Sequence, residues 1–239
     1  MQKNIAIFPT QVLIATLNEK HGIGPTITEF SKTFTTRFMI IDGHSQDGTA
    51  EIAKAYGAQV LFQDGIGKGD AIMKGLKHLA PETKYVVFTD ADFTYPAGYV
   101  PGMIRILQEN LEVGMVCGNR FNNQISDSAF YGAFSFGNRM LAFMHKLLNG
   151  VFLADPLTGL RVIRADVLRK WRIKSKGFDI EVELNREVDR QGFITVEVPI
   201  KYRPRLGQKK LRVKDGVTIL KRMLLLSVSA AVERFRRPS

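Results

Sequence analysis

Through its first 120 residues the chain alternates short aliphatic runs with segments at helical spacing, and few folds accommodate that rhythm. Gln11 to Leu17, Arg37 to Asp42, Gln59 to Phe62, Tyr85 to Thr89 and Val113 to Gly118 read as strands, short and rich in Val, Ile and Phe. Thr49 to Tyr56, Lys68 to Leu79 and Pro101 to Asn110 read as helices, each behind a turn of Gly, Asp or Pro. Strands spaced in this way predict an α/β fold with a mostly parallel sheet flanked by helices. Ligands bind such a sheet beyond the carboxyl ends of its strands. The residues there are Asn18-Glu19, Asp42-Gly43-His44-Ser45, Asp64-Gly65, Asp90-Ala91-Asp92 and Gly118-Asn119-Arg120. Any one is an ordinary polar turn, but five at corresponding places point to one polar site.

After Arg120 the pattern loosens into a Phe- and Gly-rich stretch, Phe130 to Phe143, followed by Asp155-Pro156-Leu157-Thr158-Gly159. A helix is expected around Asp179 to Arg190 and a strand over Thr195 to Ile200. With 239 residues, 45% of them hydrophobic, the chain can bury a real core, which excludes disorder. Its single cysteine, Cys117, excludes an intrachain disulfide and fits a reducing compartment, so a cytoplasmic location is expected. The apolar run Met223 to Val232 lies between Arg222 and Glu233 and is too short to span a bilayer. Asn4 to Leu17 is interrupted by Pro9 and Gln11 and reads as a strand with its lead-in, not a signal peptide.

Charge is concentrated at one end. Lys201 to Ser239 holds twelve Lys or Arg against Asp215 and Glu233, so this segment carries +10 of the chain's net +11. Such a block is built to meet phosphate, whether of a nucleic acid, a membrane surface or a substrate. A nucleic-acid-binding protein would explain the block but not carboxylates gathered at strand ends, which repel a polyanion.

The most informative string is Tyr85-Val86-Val87-Phe88-Thr89-Asp90-Ala91-Asp92. An apolar strand ending in Asp-x-Asp delivers two carboxylates to one edge, a donor set for Mg²⁺ or Mn²⁺, ions that complete their shell with water and substrate phosphates. Gly65-Ile66-Gly67-Lys68-Gly69 lacks the spacing of a P-loop and is either an anion cradle aided by Lys68 or a tight turn into a helix. With only four histidines and no Gly-x-Ser-x-Gly elbow, a nucleophile triad is not supported. Asp179, Glu181 and Glu183 read as surface residues opening a helix, with a short strand over Phe178 to Leu184 as the competing reading.

Taken in order, nine motifs resemble the family-two glycosyltransferases of GT-A fold, and within them the dolichol-phosphate and polyprenol-phosphate sugar synthases. They are Leu17-Asn18-Glu19, Asp42 through Asp47-Gly48-Thr49, Gly67-Lys68-Gly69, Asp90-Ala91-Asp92, Gly118-Asn119-Arg120, Asp155 with Thr158-Gly159, Gly177-Phe178 with Glu181 and Glu183, Glu197-Val198-Pro199-Ile200, and Gly207-Gln208-Lys209-Lys210-Leu211. The resemblance implies an inverting transfer of a sugar from a nucleotide donor such as GDP-mannose or UDP-glucose to an isoprenoid lipid phosphate, for glycan assembly. By matching position it implies Glu19, Asp42, Lys68, Asp90 and Arg120 as donor contacts, and Asp90 and Asp92 with Thr94 as the metal site. Arg139, Arg205 and Lys210 fall toward the acceptor phosphate, and the catalytic set becomes Asp90, Asp92, Arg120, Arg205 and Lys210. The alternative within the same family is a soluble or protein acceptor.

The expected division is a catalytic domain over residues 1–212 and a basic, amphipathic tail over 213–239. In Tyr202 to Arg212, Pro204 and Gly207 prevent strand continuation, so a mobile loop is expected, its cations repelling one another until anions arrive. Val217, Leu220, Leu224, Val228, Ala231 and Phe235 recur at helical spacing. That helix either packs on the domain's own core or lies in the headgroup plane of an anionic membrane. The second arrangement would place the protein peripherally on the inner face of the membrane, with a membrane-protein partner as a further candidate.

Overall fold

The structure, a computed structural model, describes residues 9–121, 132–208 and 213–236. The five strands expected in the first half all form: β1 (Thr10–Thr16), β2 (Arg37–Asp42), β3 (Gln59–Phe62), β4 (Tyr85–Phe88) and β5 (Val113–Asn119). Two more complete one sheet, β6 (Arg161–Arg164) and β7 (Ile194–Pro199), in the order β3-β2-β1-β4-β6-β5-β7. All pairings are parallel except those of β6, which runs antiparallel between β4 and β5.

Strand β6 escapes the sequence reading because its two apolar residues sit between arginines, an unpromising core strand. The fold absorbs both guanidinium groups. Arg161 is buried, donating from Nε to the Thr158 carbonyl (2.9 Å), from Nη2 to the Pro156 carbonyl (2.8 Å) and from Nη1 to Asn185 Oδ1. Arg164 donates to the carbonyls of Val113 (2.8 Å) and Asn110 (3.0 Å).

The expected helices are α2 (Thr49–Ala55), α3 (Lys68–Lys77), α4 (Val100–Glu109) and α7 (Ile180–Arg190), the last settling the helix-or-strand choice at Phe178 to Leu184. Not anticipated were α1 (Ile23–Thr33), α5 (Gly132–Asn149) and α6 (Ala165–Lys170). In α1 the sequence is rich in Thr and holds Pro25, poor helix formers. Pro25 falls in the first turn, where no N–H is required, and the hydroxyls of Thr28, Ser31 and Thr33 bond the carbonyls four residues back.

Side chains alternate across each strand, so the sheet has two apolar faces. Val12, Ile14, Ile40 and Val87 pack with Ile23, Ile27 and Phe30 of α1 and Met103 and Leu107 of α4. On the other face Leu13, Met39, Ile41 and Val86 pack with Ala71 and Ile72 of α3 and Ile180, Leu184 and Val188 of α7.

The last helix, α8 (Val213–Arg236), does not stand apart as a tail. Ile219 and Met223 are buried against Val182 of α7 and Leu141, Met144 and Leu148 of α5. Arg222 Nε reaches Asp179 Oδ2 at 2.8 Å. The expected boundary after residue 212 therefore falls between elements that share a core. Among the described residues no helix is long and apolar enough to cross a membrane.

Behind α8, His145 of α5 is fully buried, its Nδ1 3.3 Å from the Asn149 side-chain amide, which also donates to the Met223 carbonyl at 3.2 Å. Burial, with the nearby charges of Arg161 and Arg186, pushes the imidazole down to about 4, from an ordinary 6.5. Between these values the unfolded chain binds the extra proton. Stability is thus fully present above pH 6.5 and falls as the pH drops toward 4. The limiting loss is roughly 3 kcal/mol. Urea unfolding should show a wild-type midpoint that drops between about pH 7 and about pH 5, and His145→Gln should flatten that slope. Parallel pH profiles in the two proteins would refute the assignment.

Candidate active site

The strand ends converge as the α/β pattern requires, and the backbone is strained where they do. Among the described residues three non-glycine positions hold positive φ, namely Asn18 (+51°), His44 (+63°) and Phe93 (+66°), and they follow β1, β2 and β4. These loops press on one another. A Cβ at Gly22 would lie 2.4 Å from the Ala91 carbonyl, and one at Gly159 would lie 2.4 Å from Asp90 Oδ2. Between the loops opens a cleft of about 820 Å³ whose lining includes Glu19, Lys68, Asp90, Asp92, Arg120, Glu181 and Arg205.

Each carboxylate of the Asp-x-Asp pair meets a cation. Lys68 Nζ bridges Asp90 Oδ1 (3.0 Å) and Glu181 Oε1 (2.8 Å). Arg205 Nη2 bridges Asp92 Oδ2 (2.7 Å) and Glu19 Oε1 (3.3 Å). Asp92 Oδ1 accepts the Thr94 hydroxyl (2.6 Å) and the Thr94 N–H (3.1 Å). Burial by itself would raise the Asp90 carboxyl, but the Lys68 charge and hydrogen bond bring it below its ordinary value. The Asp92 carboxyl is raised, by burial and then by the Asp90 charge beside it. Burial opposes the Lys68 charge, yet Asp90 and Glu181 hold that ammonium's pKa above normal.

This arrangement fits a divalent cation. Asp90 and Asp92 offer hard oxygens at one strand end, and the Asp92 carboxyl, raised by burial and then by the Asp90 charge, is one that a bound cation would favour in its ionised form. Among the described residues no group of three or more His, Cys, Asp or Glu is placed to hold a metal. The protein's share of such a shell would be two carboxylates, as suits an ion that completes its shell with water and phosphate oxygens.

The other expected residues lie at different depths around the cleft. Asp42 is completely buried and turned inward, accepting from Ser45 N–H (2.7 Å), the Ser45 hydroxyl (2.7 Å) and the Thr16 hydroxyl (2.9 Å), so it shapes the turn after β2 and leaves the cleft wall there to Gly43. Thr94, expected as a metal ligand, is buried behind Asp92 and donates its hydroxyl and N–H to that carboxylate. Arg139 is exposed on α5 and is not part of the cleft lining. Asp64, at the end of β3, makes an exposed pair with Lys74 at 2.8 Å and stays outside the cleft. Lys210 lies outside the described residues.

Arg120 does line the cleft, but behind it Asp155 grips the guanidinium through Nε and Nη2 at 2.7 Å each. Glu197 in turn accepts the N–H groups of Ala154 (2.7 Å) and Asp155 (2.8 Å), so β7 holds the loop that holds the arginine. The two glycines flanking Lys68 serve close approach: Gly69 N–H donates to the Lys176 carbonyl at 2.9 Å, and a Cβ at Gly67 would lie 2.2 Å from that oxygen. What this turn presents to the cleft is the Lys68 ammonium.

Nor are the acidic residues opening α7 on the surface. Asp179, Glu181 and Glu183 are all buried. Glu183 accepts from the N–H groups of Lys174 (2.8 Å) and Ser175 (2.7 Å), and Glu181 faces Lys68. Acidic residues in a first helical turn are usually dipole partners, so local pattern does not separate these from ordinary ones, and the signal for Glu181 and Glu183 is their place in one of the nine motifs. Of the segment Tyr202 to Arg212, where mobility is expected, residues 209–212 lie outside the described residues, and residues 202–208 are pinned. The N–H groups of Arg203 and Leu206 donate to the carbonyls of Thr94 (3.0 Å) and Asp92 (2.9 Å), and Arg203 pairs with Glu29 at 2.6 Å. For Arg203 and Arg205 the neutralising anions come from the protein itself, Glu29 for the first and Glu19 with Asp92 for the second.

Comparison with known proteins supports one assignment. The family model described as glycosyl transferase family 2 matches residues 11–172. Glycosyltransferase AglJ of Haloferax volcanii is 32% identical over 195 residues, covering 81% of this chain and 63% of AglJ, so the chain spans under two thirds of that relative. A dolichyl-phosphate hexose transferase of the same organism is 31% identical over 204 residues, covering 84% of this chain and 85% of the relative. Among solved structures, mannosyl-3-phosphoglycerate synthase from Rubrobacter xylanophilus superposes with a TM-score of 0.72 at 16% identity, covering 97% of this chain and 76% of the other. Glucosyl-3-phosphoglycerate synthase from Mycobacterium tuberculosis, in complex with Mn²⁺, uridine-diphosphate and phosphoglyceric acid, gives 0.70 at 20% identity, covering 98% and 81%.

Proposed function

The chain belongs to glycosyl transferase family 2 and has the GT-A fold, and on that premise we propose that it moves a hexose from a nucleotide sugar to the phosphate of a dolichol- or polyprenol-type lipid. The observation that carries this reading is the composition of the cleft: the carboxylates of Asp90 and Asp92 beside the cations Lys68, Arg120 and Arg205, with no histidine in the lining among the described residues. An alcohol acceptor must lose a proton to a base, whereas a lipid phosphate is already anionic near neutral pH. The enzyme's task is then to hold two anions together and to neutralise the leaving diphosphate. The likeness to a dolichyl-phosphate hexose transferase supports the acceptor, and the Mn²⁺ and uridine-diphosphate in the mycobacterial synthase support the donor and metal.

Asp90 and Asp92 would hold a Mg²⁺ or Mn²⁺ ion, which when bound neutralises charge on the donor diphosphate. Lys68 and Arg120 would face the donor phosphates, and Glu19 the nucleoside end. Arg205 would exchange its contacts with Asp92 and Glu19 for the acceptor phosphate, together with Lys210. A phosphate oxygen of the acceptor bonds to the anomeric carbon as the bond to the nucleoside diphosphate breaks, inverting configuration. The acceptor's tail calls for a peripheral position at an anionic membrane, on the cytoplasmic side where nucleotide sugars are available.

The test is incubation with a panel of nucleotide sugars, including UDP-glucose and GDP-mannose, and a short polyprenyl phosphate, with the product read by mass spectrometry and its linkage by NMR. The expected product is a β-linked polyprenyl phosphosugar whose formation stops in excess EDTA. Transfer only to soluble sugars or proteins would move the acceptor to that alternative class.

A further inference from the structure

Fifteen large hydrophobic side chains are exposed among the described residues, and eight of them fall within residues 140–152 and 217–228 of the α5–α8 unit. On α5, Met140, Phe143 and Leu147 are 51%, 60% and 66% exposed and recur at helical spacing. On α8, Val217, Leu224 and Val228 form a second stripe, 68%, 47% and 63% exposed. Both helices bury their other sides, through Leu141, Met144 and Leu148 on α5 and Ile219 and Met223 on α8, so the stripes face away from the core. Single exposed apolar residues are normal, whereas two stripes on a packed helix pair mark an interaction surface.

Cations accompany both stripes. Arg139 and Lys146 on α5 and Lys221 on α8 are exposed, and the Lys146 ammonium sits 4.8 Å from the ring centre of Phe152, itself 72% exposed. On α8 the stripe begins at the cleft, since Asp215 and Ile219 line the cleft while Val217 between them faces solvent.

We propose that the α5–α8 face seats the protein on an anionic lipid bilayer, the apolar stripes entering the headgroup boundary and the lysines and arginine meeting lipid phosphates. The proposal rests on the lipid-phosphate reading above for its purpose, and it gives α5 a part equal to that of the C-terminal helix. Seated so, the first turns of α8 carry the cleft wall to the membrane, where an acceptor phosphate resides.

The experiment is sedimentation of the full chain with vesicles of phosphatidylcholine alone and of phosphatidylcholine with phosphatidylglycerol. Wild-type protein should bind the anionic vesicles and release in high salt. The pair Phe143→Glu with Leu147→Glu, and separately Val217→Glu with Val228→Glu, should each weaken binding about tenfold or more, with thermal unfolding confirming that both variants fold. Turnover of a short, water-soluble polyprenyl phosphate should persist in both, while turnover of a vesicle-embedded acceptor falls. Wild-type protein that ignores vesicles, variants that bind as wild type does, or a solution dimer that the substitutions dissociate would overturn the proposal, the last by assigning the face to a second copy. Vesicle binding that the variants lose, with no polyprenyl phosphate turned over by any of them, would uphold this surface and fail the acceptor assignment.

Discussion

Replacing Asp92 with asparagine is expected to lower turnover by about a thousandfold or more and to leave the unfolding temperature nearly unchanged. The rate loss follows from removing one of two carboxylates proposed to hold the cation that neutralises the donor diphosphate. The unchanged stability follows from the site. Asparagine keeps an oxygen at the position that accepts both Thr94 donors, so the turn after β4 retains its bonds. It also removes a charge that costs stability: the Asp92 carboxyl is raised in the folded state by burial and by Asp90, so at neutral pH its ionised form is disfavoured by folding. Against that gain stands the lost Arg205 contact at 2.7 Å, and the guanidinium keeps Glu19 Oε1 at 3.3 Å. Steady-state kinetics beside differential scanning calorimetry decide the matter. Wild-type turnover would sink the metal assignment, and a large fall in unfolding temperature would make Asp92 a structural residue.

The second large effect is expected away from the reacting atoms. Arg161→Leu should destabilise the fold by about 2–4 kcal/mol, an unfolding temperature lower by roughly 5–15 °C. Leucine fills much of the volume but leaves the Thr158 carbonyl and Asn185 Oδ1 buried without the donors that Arg161 supplies, while the Pro156 carbonyl keeps the Asn185 amide at 3.0 Å. Because the Pro156 to Thr158 turn follows Asp155, which grips Arg120, donor affinity should fall along with stability. Arg161→Lys keeps the charge but not the three-way fork, and should fall between the two. An unfolding temperature within about 2 °C of wild type in the leucine variant would show that the carbonyls find other donors.

Much of this architecture is legible in one dimension. The interiors of β1, β2, β4 and β5 are continuous apolar runs because both faces of the sheet are covered there, and helices α2, α3 and α4 follow Gly, Asp or Pro turns. Asp90, Asp92, Glu19 and Lys68 reach the cleft because a strand end aims its turn residues there, whatever the rest of the fold does. Strand β6 and helix α1 were illegible for local reasons, arginines in one and Thr with Pro in the other. In each case the unfavourable local preference is offset, by hydrogen bonds from Arg161 to Asn185 and from Arg164 to Val113 in β6 and by the position of Pro25 within the first turn in α1.

What the amino-acid order determines alone is thus the α/β rhythm, the polar strand ends and the segregation of positive charge into the last 39 residues, since periodicity and charge are local properties of a chain. Tertiary structure decides which way each charged side chain turns. Asp42 spends its oxygens on the Ser45 N–H and on the Ser45 and Thr16 hydroxyls, Glu183 on the N–H groups of Lys174 and Ser175, Asp155 on Arg120, and Glu181 faces Lys68, although as isolated residues the four carboxylates are equivalent. A buried charge must find a partner, and only the folded chain sets which partners lie within reach. The same reason makes α8 part of the domain: its sequence is equally suited to a free amphipathic tail, and Ile219, Met223 and Arg222 dock because α5 and α7 offer an apolar groove beside two carboxylates.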